Sequence, residues 1–365
     1  MKTNMTEKQV LKALRTVNDP DLHKDLVSLR MIDDIKIEGN KIHFNLLLTT
    51  PACPLKEQIK QDCIHAIHRH LGKDVQVDID FSSHVTTRRK EHEELLKDVK
   101  NIIAVGSGKG GVGKSTVAVN LAVALAKTGT GVGLIDADIY GPSIPMMFVL
   151  LNRHPGGFEK DGKTRIMPFE KYGLKLISIG FFVDQSKALI WRGPMASTAL
   201  KQLITDVEWG TLDYMIIDLP PGTGDIPLTL IQSFPLTGAI IVSTPQQLAI
   251  ADVRKAADMF RNDQIRIPVL GLVENMSYFI PPEMPGKKYF IFGKEGCRTF
   301  AAALKIPLLG EIPIVPEITD SGDKGIPVAT EDDTPVSAAF KALAGNVAQQ
   351  IAITNAIKSV FGSRS

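Results

Sequence analysis

The sequence predicts an α/β fold in which a mostly parallel sheet, covered by helices on both faces, follows a small α+β domain. The first observation is that strand-like and helix-like segments alternate from residue 101 onward, as they do in sheets joined by helical crossovers. The second is a glycine-rich turn between the first of these strands and the helix that follows it. The third is a polar, charge-dense stretch at 82–100, which is typical of an interdomain linker.

Length and composition narrow the class of protein. At roughly 150 residues per domain, a chain of 365 residues suggests two or three domains, and two is our working count. Apolar residues make up 44% and charged residues 22%, a balance that supports a sizeable core. We find no apolar run long enough for a membrane span and no secretion signal, and the three cysteines suit a reducing compartment. These features predict a cytoplasmic protein. A net charge of +2 without a long basic stripe predicts neither a nucleic-acid nor a membrane partner.

The first 81 residues predict a compact domain of order αββαβ. Apolar positions recur at helical spacing over 6–17 and 55–71, whereas 32–37 and 42–46 alternate around a hairpin turn and 75–81 gives a last strand. The predicted domain limits are therefore 1–81 for this domain, 82–100 for the linker and 101–365 for the larger domain. In the larger domain we predict strands at 102–105, 131–136, 174–179, 214–218, 238–243, 269–273 and near 308, and helices at 114–128, 194–206, 249–260 and 294–304.

The glycine-rich turn fits the P-loop pattern of a glycine, four residues, and then Gly-Lys-Ser, placed between an apolar strand and a helix. Glycines are required there because backbone N–H groups turn inward around phosphate oxygens, and a side chain would block that approach. The helix that follows presents its positive dipole end to the same anion. The predicted nucleotide-binding residues are Gly108, Lys109, Gly110, Gly111, Val112, Gly113, Lys114, Ser115 and Thr116.

Charged and hydroxyl side chains near this loop supply the predicted chemistry. Lys114 provides a point charge to the outer phosphates, and Ser115 offers a hydroxyl to Mg²⁺. Asp218 ends a buried apolar strand and suits a magnesium-linked carboxylate. Asp138 follows the second strand, where we expect it to orient the attacking water or a magnesium-bound water. The sequence thus predicts an ATPase with ATP and Mg²⁺ as ligands.

Lys109 narrows the family, because GKGGVGKST resembles the deviant phosphate loop of the nitrogenase-iron-protein and MinD-like ATPases. Together with DADIYGPSIP at 136–145, DLPPGTGD at 218–225 and ENMSYF at 274–279, the sequence is similar to the Mrp/ApbC branch, the iron-sulfur cluster carrier ATPases. That resemblance implies a homodimer in which Lys109 completes the partner subunit's site. It also implies that Asn275 contacts the adenine base.

The segment TTPACP at 49–54 resembles the small iron-sulfur assembly domain related to SufT, which often precedes this ATPase, so the likeness covers nearly the whole chain. By resemblance, the partners are apo iron-sulfur proteins and cluster scaffold proteins.

One departure from the family concerns a Cys-x-x-Cys pair that commonly follows the ENMSY segment. Pro281 and Met284 occupy those positions here, and neither is a thiolate ligand. The remaining candidates for holding a labile iron-sulfur cluster are Cys297, at a predicted helix start that would lower a thiol pKa, and Cys53, in a similarly placed loop. Cys63 falls in a periodic helix and is interpreted as packing.

The histidine-rich run at 63–70 does not bring its side chains to one helix face, so we do not expect a metal site there. A regulatory switch of the MinD and ParA kind, which would bind a membrane, DNA or a protein, is the alternative function, although the C-terminal segment 336–361 has too few cations for a basic membrane face. A metabolic kinase resembling dethiobiotin synthetase would need an acceptor pocket, and no sequence feature identifies one.

Overall fold

The computed structural model describes residues 5–87, 89, 95–160, 162–182, 193–281, 283–284 and 286–361. These divide into two compact units, residues 1–87 with 348–365, and residues 88–347. The domain limits expected from the sequence, 1–81, 82–100 and 101–365, stay a prediction. The two units differ from these limits because residues 348–365 are grouped with the first unit. Within the expected linker, β-strands already include residues 82–83 and 99–100, while 88 and 90–94 lie outside the described residues.

The first unit has the predicted order αββαβ. Its elements are α1 (Glu7–Leu14), β1 (Ile32–Glu38), β2 (Lys41–Leu48), α2 (Lys56–Leu71) and β3 (Gln76–Ser83). Strand β2 is central, antiparallel to β1 and parallel to β3. Alternate residues of β2, including Phe44 and Leu46, are fully buried with Leu14 of α1 and Ile67 of α2. The period-two pattern therefore places one sheet face under the two helices, which makes the core.

The second unit contains the larger sheet and its helices. It begins with β4 (Val99–Gly106), α3 (Lys114–Ala126), β5 (Val132–Asp136), α4 (Ile144–Met147), β6 (Gly157–Lys160), β7 (Lys163–Ile166), β8 (Phe169–Lys171) and β9 (Leu174–Ser178). It continues with α5 (Gly193–Asp206), β10 (Leu212–Asp218), α6 (Asp225–Ser233), β11 (Gly238–Ser243), α7 (Gln247–Arg261), β12 (Val269–Glu274), α8 (Gly296–Leu304), β13 (Leu308–Glu311), α9 (Pro316–Lys324) and α10 (Pro335–Phe361). The last part of α10 belongs to the first unit.

Eight strands of this unit form one sheet in the order β13-β12-β11-β4-β10-β5-β9-β8, and every pairing except that of β8 with β9 is parallel. The predicted α/β class, with its mostly parallel sheet, is therefore confirmed. Strand β10 lies between β4 and β5, and the register places Asp218 beside Val105 and Asp136. The carboxyl ends of three neighbouring strands thus meet at one edge, where ligands bind in open α/β sheets.

Several elements were not expected from the sequence. They are the hairpin β6–β7, the edge strand β8 and the helices α4, α6 and α9. Each is short or mostly exposed, so its residues carry little periodic apolar signal. No helix in the described part of the chain is long and apolar enough to cross a membrane.

Candidate nucleotide site

The glycine-rich loop connects β4, which ends at Gly106, to α3, which begins at Lys114. Gly111 and Gly113 have φ angles of 81° and 79°. These lie in the left-handed region, which residues other than glycine adopt only with strain. Gly113 is the residue before the first turn of α3. The backbone conformation therefore explains why glycine stands at these two positions and places the loop at the positive end of the helix.

Helix α7 and the residue Asn275 lie in close contact with the loop. A Cβ atom added to Gly108 would collide with the main chain of Asp252 in α7, and one added to Gly113 would collide with the side-chain amide of Asn275. That amide donates a hydrogen bond of 2.9 Å to the carbonyl of Val112. The loop is thus held in place from both sides by close approach of backbone and side chains.

Lys114 is nearly fully buried beneath the loop and contacts two carboxylates. Its Nζ lies 2.7 Å from Oδ1 of Asp218 and 3.6 Å from Oδ2 of Asp138. The hydroxyl oxygen of Ser115 lies 3.4 Å from the same nitrogen. The structure therefore brings together the four side chains that the sequence assigned to phosphate, magnesium and water.

Asp218 is fully buried, and its second oxygen, Oδ2, has no hydrogen-bond partner within the described residues. Burial raises the pKa of its carboxyl group, although the ammonium of Lys114 acts in the opposite direction. A buried carboxylate oxygen without a partner is costly unless another group satisfies it. Such an oxygen, in a site that also holds the Ser115 hydroxyl, is of the hard type that Mg²⁺ prefers as a ligand.

A third carboxylate, Asp136, was not assigned a role from the sequence. It is fully buried and accepts hydrogen bonds from the Ser178 hydroxyl at 2.9 Å and from the backbone N–H groups of Asp138 and Ile144 at 3.2 Å each. Burial, followed by the nearby charge of Asp218, raises the pKa of Asp136. These bonds fix the turn that carries Asp138. The only available signal was its place beside Asp138 at the end of an apolar strand.

Asp138 itself is held by the backbone that follows it. Its Oδ1 accepts hydrogen bonds from the N–H groups of Tyr140 and Gly141, at 3.2 and 3.3 Å. Its other oxygen, Oδ2, is the one that faces Lys114. Asp138 is thus oriented by its own turn toward the cation beneath the loop.

Lys109 differs from Lys114 in its surroundings. Its carbonyl accepts a hydrogen bond of 2.9 Å from the Ser107 hydroxyl, which fixes the backbone. Its ammonium group forms no ion pair or hydrogen bond with the residues that the structure describes. Its neighbours Gly110 and Gly111 are exposed. Lys109 itself is half-buried, and its cation is without a charged partner among the described residues.

A cavity of about 560 Å³ opens beside the loop on the side of α3. Gly113 and Thr116 line it together with Asn275, which the family resemblance places at the adenine base. The other lining residues are mostly apolar, namely Met146, Met147, Met276, Ile291, Phe292, Pro313, Ile314, Val315 and Ile318, and Thr319, Gly322 and Asp323 complete the lining. A mostly apolar cavity with a few polar residues matches the general form of a ligand-binding site. The role of Asn275 stays a prediction, and this position is compatible with it.

The cysteines differ from the expectation of reactive thiols. Cys297 is fully buried at the start of α8, where its backbone N–H donates to Oε2 of Glu274 at 3.0 Å and its sulfur lies 3.5 Å from the Thr244 carbonyl. Burial, with the charge of Glu274, raises its pKa, and burial also raises the pKa of Cys53. The expected lowering of the thiol pKa values was therefore wrong, because desolvation exceeds the effect of the helix start. Their role as cluster ligands stays a prediction.

Cys63 belongs to the core of the first unit, as expected, and burial raises its pKa to about 12. Pro281 and Met284, at the positions of the family's cysteine pair, are joined by a hydrogen bond of 3.0 Å from the Met284 N–H to the Pro281 carbonyl. Met284 is exposed. Over the described ranges, no group of three or more His, Cys, Asp or Glu side chains is arranged to hold a metal ion, which includes the run 63–70.

Replacement of Gly108 by alanine is expected to lower both thermal stability and ATP affinity. The added methyl group meets the main chain of Asp252, which cannot move without displacing α7, and overpacking of this kind costs about 1–3 kcal/mol. Gly156→Ala is the matched control, because its Cβ enters open space at a compatible φ. Thermal unfolding and calorimetric ATP titration measure both effects. Equal unfolding midpoints and equal ATP affinities for the two variants would contradict the close approach of Gly108 to the main chain of Asp252.

The native thiols are expected to alkylate slowly at about pH 8, because raised pKa values leave little thiolate there, and the rate should rise with pH. Half-exposed Cys53 should react first, ahead of the fully buried Cys63 and Cys297. Iodoacetamide labelling followed by peptide mass spectrometry measures the order, and denatured protein gives the reference rate. If Cys297 were labelled as fast in the native protein as in the denatured protein, its burial would be contradicted.

A glycine loop at the start of a helix, with a buried lysine and strand-end aspartates, defines a P-loop nucleotide-binding site on a parallel α/β sheet. Residues 98–348 match a ParA family model described as the NUBPL iron-transfer P-loop NTPase, and residues 7–79 match a model described as an iron-sulfur cluster assembly protein. The chain belongs to the NUBPL iron-transfer P-loop NTPase family, which confirms the resemblance to the iron-sulfur cluster carrier branch.

Individual proteins that are similar to this chain support the same family assignment. The iron-sulfur cluster carrier protein of Synechocystis sp. is 46% identical over 349 residues, which cover 95% of this chain and 97% of that protein. The solved structure of a nucleotide-binding protein from Archaeoglobus fulgidus in complex with ADP is 40% identical, has a TM-score of 0.58, and covers 68% of this chain and 95% of its own. The cell division ATPase MinD of Pyrococcus furiosus, at 22% identity, a TM-score of 0.50 and coverage of 68% and 98%, shows the fold alone. The alternative of a MinD-like switch is therefore not favoured.

Proposed function

We propose that this chain binds and hydrolyses ATP and uses the nucleotide state of a homodimer to carry iron-sulfur clusters or help insert them into other proteins. The observation that carries the proposal is the buried contact of Lys114 with Asp218 and Asp138 directly beneath the phosphate loop. Without a phosphate, the Lys114 cation is paired with carboxylates. With one, the same cation and the backbone N–H groups of the loop attract the anion.

Mg²⁺ fits the site because Asp218 has a buried carboxylate oxygen without a described partner, and both Asp218 and the Ser115 hydroxyl lie at the Lys114 ammonium. Asp218 and Ser115 are the residues that would hold the ion, Asp218 directly or through water. The ion supplies neutralisation of charge on the phosphate oxygens. The protein's own contribution is to keep both oxygens in place, which the burial of Asp218 at the end of β10 achieves.

Hydrolysis requires a water molecule to be oriented toward the outer phosphate, and Asp138 is our candidate for that role. Its orientation is set by backbone N–H groups rather than by a mobile partner, so it needs little reorganisation. Lys109, which has no partner among the described side chains, is assigned to the site of a second subunit. There a cation stabilises the charge that develops on the transferring phosphate.

The cargo is inferred from the family and from the relative in Synechocystis sp., which is an iron-sulfur cluster carrier protein. The assembly-type domain at 7–79 supports the same class of cargo. The partners are accordingly scaffold proteins that supply a cluster and apo iron-sulfur proteins that receive it. The expected compartment is the cytoplasm.

Anaerobic reconstitution with iron and sulfide, followed by transfer to an apo-ferredoxin, tests the carrier function. We expect bound iron and sulfide in the unaltered protein and transfer whose rate changes between ATP and ADP. Cys53→Ser and Cys297→Ser are compared in parallel, and because Cys53 is the more accessible thiol, its loss is expected to reduce bound iron more. Absence of bound iron and of transfer in the unaltered protein, despite ATP hydrolysis, would contradict carriage by this chain.

A further inference from the structure

Residues 286–294, here called the basic loop, carry three lysines whose ammonium groups lie over aromatic rings. The ammonium nitrogen and the ring centroid are separated by 5.0 Å for Lys287 and Tyr289, 3.9 Å for Lys288 and Tyr278, and 5.4 Å for Lys294 and Phe290. Each distance is within the range of a cation–π interaction. The three cations are therefore localised near rings instead of sampling the full space of a free lysine.

The basic loop is anchored at its base by main-chain pairing. Phe279 and Tyr289 exchange two N–H to carbonyl hydrogen bonds of 2.8 Å. On the other side, Phe279 pairs with Ile314, whose N–H donates to the Tyr278 carbonyl at 2.7 Å. The main chain at Tyr278 and Tyr289 is thus tied to the segment that follows β13, which places the rings beneath Lys287 and Lys288 on paired backbone.

The positive charge of the basic loop is largely uncompensated. Lys287 and Lys288 form no ion pair with any residue that the structure describes, and Lys294 has only Glu295, at 3.8 Å. All three lysines are exposed. An ion pair at that distance on an exposed surface contributes little. The loop therefore presents a compact cationic surface that is available to an anionic partner.

We propose that the basic loop docks an acidic face of a partner protein. The proposal rests on the carrier function above and deepens it by stating the chemistry by which the partner is recognised. Carboxylate groups complement three exposed ammonium groups, and cations already held near rings lose less conformational freedom on binding than free lysines. Tyrosine and phenylalanine beside the cations supply the apolar contacts that protein interfaces combine with charge.

Other anionic partners fit this surface less well. Single-stranded nucleic acid binds by stacking bases on exposed ring faces, but here the ammonium groups lie over those faces. A lipid surface is engaged by a contiguous apolar patch, whereas Ile291 is the one side chain of the basic loop more than half exposed and apolar, at 59%. Tyr289 and Phe290 are only 39% and 37% exposed. A protein face with carboxylates uses both the cations and the ring edges.

The same segment also touches the nucleotide site. Ile291 and Phe292 line the cavity beside Asn275 and Gly113. A ligand in that cavity contacts the inner side of the segment whose outer side meets the partner. Binding of the partner and of the nucleotide should therefore affect each other by the same factor, because coupling between two sites is reciprocal.

The test uses the full chain with fluorescein-labelled poly-L-glutamate as the acidic probe, at low salt, with and without ATP. The loop variant is K287E/K288E/K294E, and the control variant K163E/K201E/K324E makes the same change of charge at exposed lysines elsewhere. We expect the unaltered protein and the control to bind the probe alike and the loop variant to bind about tenfold more weakly or worse. K287Q/K288Q/K294Q repeats the measurement if the reversed charges impair folding.

Parallel titrations with vesicles of phosphatidylserine and phosphatidylcholine and with an oligothymidylate separate the other partner classes. Preferential binding of either over poly-L-glutamate would overturn the proposal, as would equal weakening in the loop and control variants. ATP binding by the loop variant, measured by calorimetry, keeps the two proposals distinct. Retained ATP binding with lost probe binding in the loop variant supports the docking surface. Failure of cluster transfer in the unaltered protein and in both variants contradicts the carrier function alone.

Discussion

Lys114→Ala is expected to abolish measurable ATP binding and also to destabilise the nucleotide-free protein. Its ammonium is the cation that faces Asp218 at 2.7 Å, and Asp218 is fully buried with a second oxygen that has no partner among the described groups. Removal of one member of a buried ion pair leaves an uncompensated charge and costs about 3–5 kcal/mol. Chemical denaturation and calorimetric ATP titration measure the two losses.

A double variant separates the two effects. Asp218→Asn in the Lys114→Ala background removes the stranded carboxylate and should recover most of the lost stability without restoring ATP binding, because the phosphate still lacks its cation. Lys160→Ala is the control, since Lys160 pairs with Glu208 on the surface and such pairs are worth about 0–1 kcal/mol. An unchanged ATP affinity in Lys114→Ala would mean that the loop is not the phosphate site.

The larger sheet and the phosphate loop could be predicted because their signals are local. Alternating apolar and helical segments give the strands β4, β5, β10 and β11, and the loop motif is contiguous from Gly108 to Thr116. Asp218 ends a strand that runs parallel to β4, so its position at the same sheet edge as the loop followed from the fold class.

The parts that could not be predicted depend on contacts distant in sequence. The pKa of Cys297 is raised by burial and then by the charge of Glu274, neither of which is visible in the segment around the cysteine. Asp136 has its partners at Ser178 and Ile144, so its place in the site appears only after folding. The cavity wall near Asn275 is assembled from five separate segments of the second unit. Such arrangements are set by tertiary packing and not by local periodicity.

Lys109→Ala is expected to bind ATP with nearly normal affinity and to hydrolyse it at least about a hundredfold more slowly. The ammonium of Lys109 forms no ion pair or hydrogen bond with the described residues of its own subunit, so its loss leaves Lys114 and its carboxylates intact. Cations that act from a neighbouring subunit or protein on a transferring phosphate contribute about 10³–10⁵ in rate, and a lysine at the same place should give a large part of that. Steady-state hydrolysis and calorimetric binding on the same preparation separate rate from affinity.

Mixing with a second inactive variant shows whether this cation acts across the dimer. Asp138→Ala lacks the group that orients the water but keeps Lys109, so a mixed dimer has one complete site, in the Lys109→Ala subunit, with Lys109 supplied by its partner. When equal amounts of the two variants exchange subunits freely, half of the dimers are mixed, and each mixed dimer has one working site of its two. The mixture should therefore show about a quarter of the unaltered activity per subunit. If Lys109 served its own subunit, each site in the mixed dimer would lack one essential group and the mixture would stay inactive. Recovery to about a quarter would therefore establish both the dimer and the direction in which this lysine reaches.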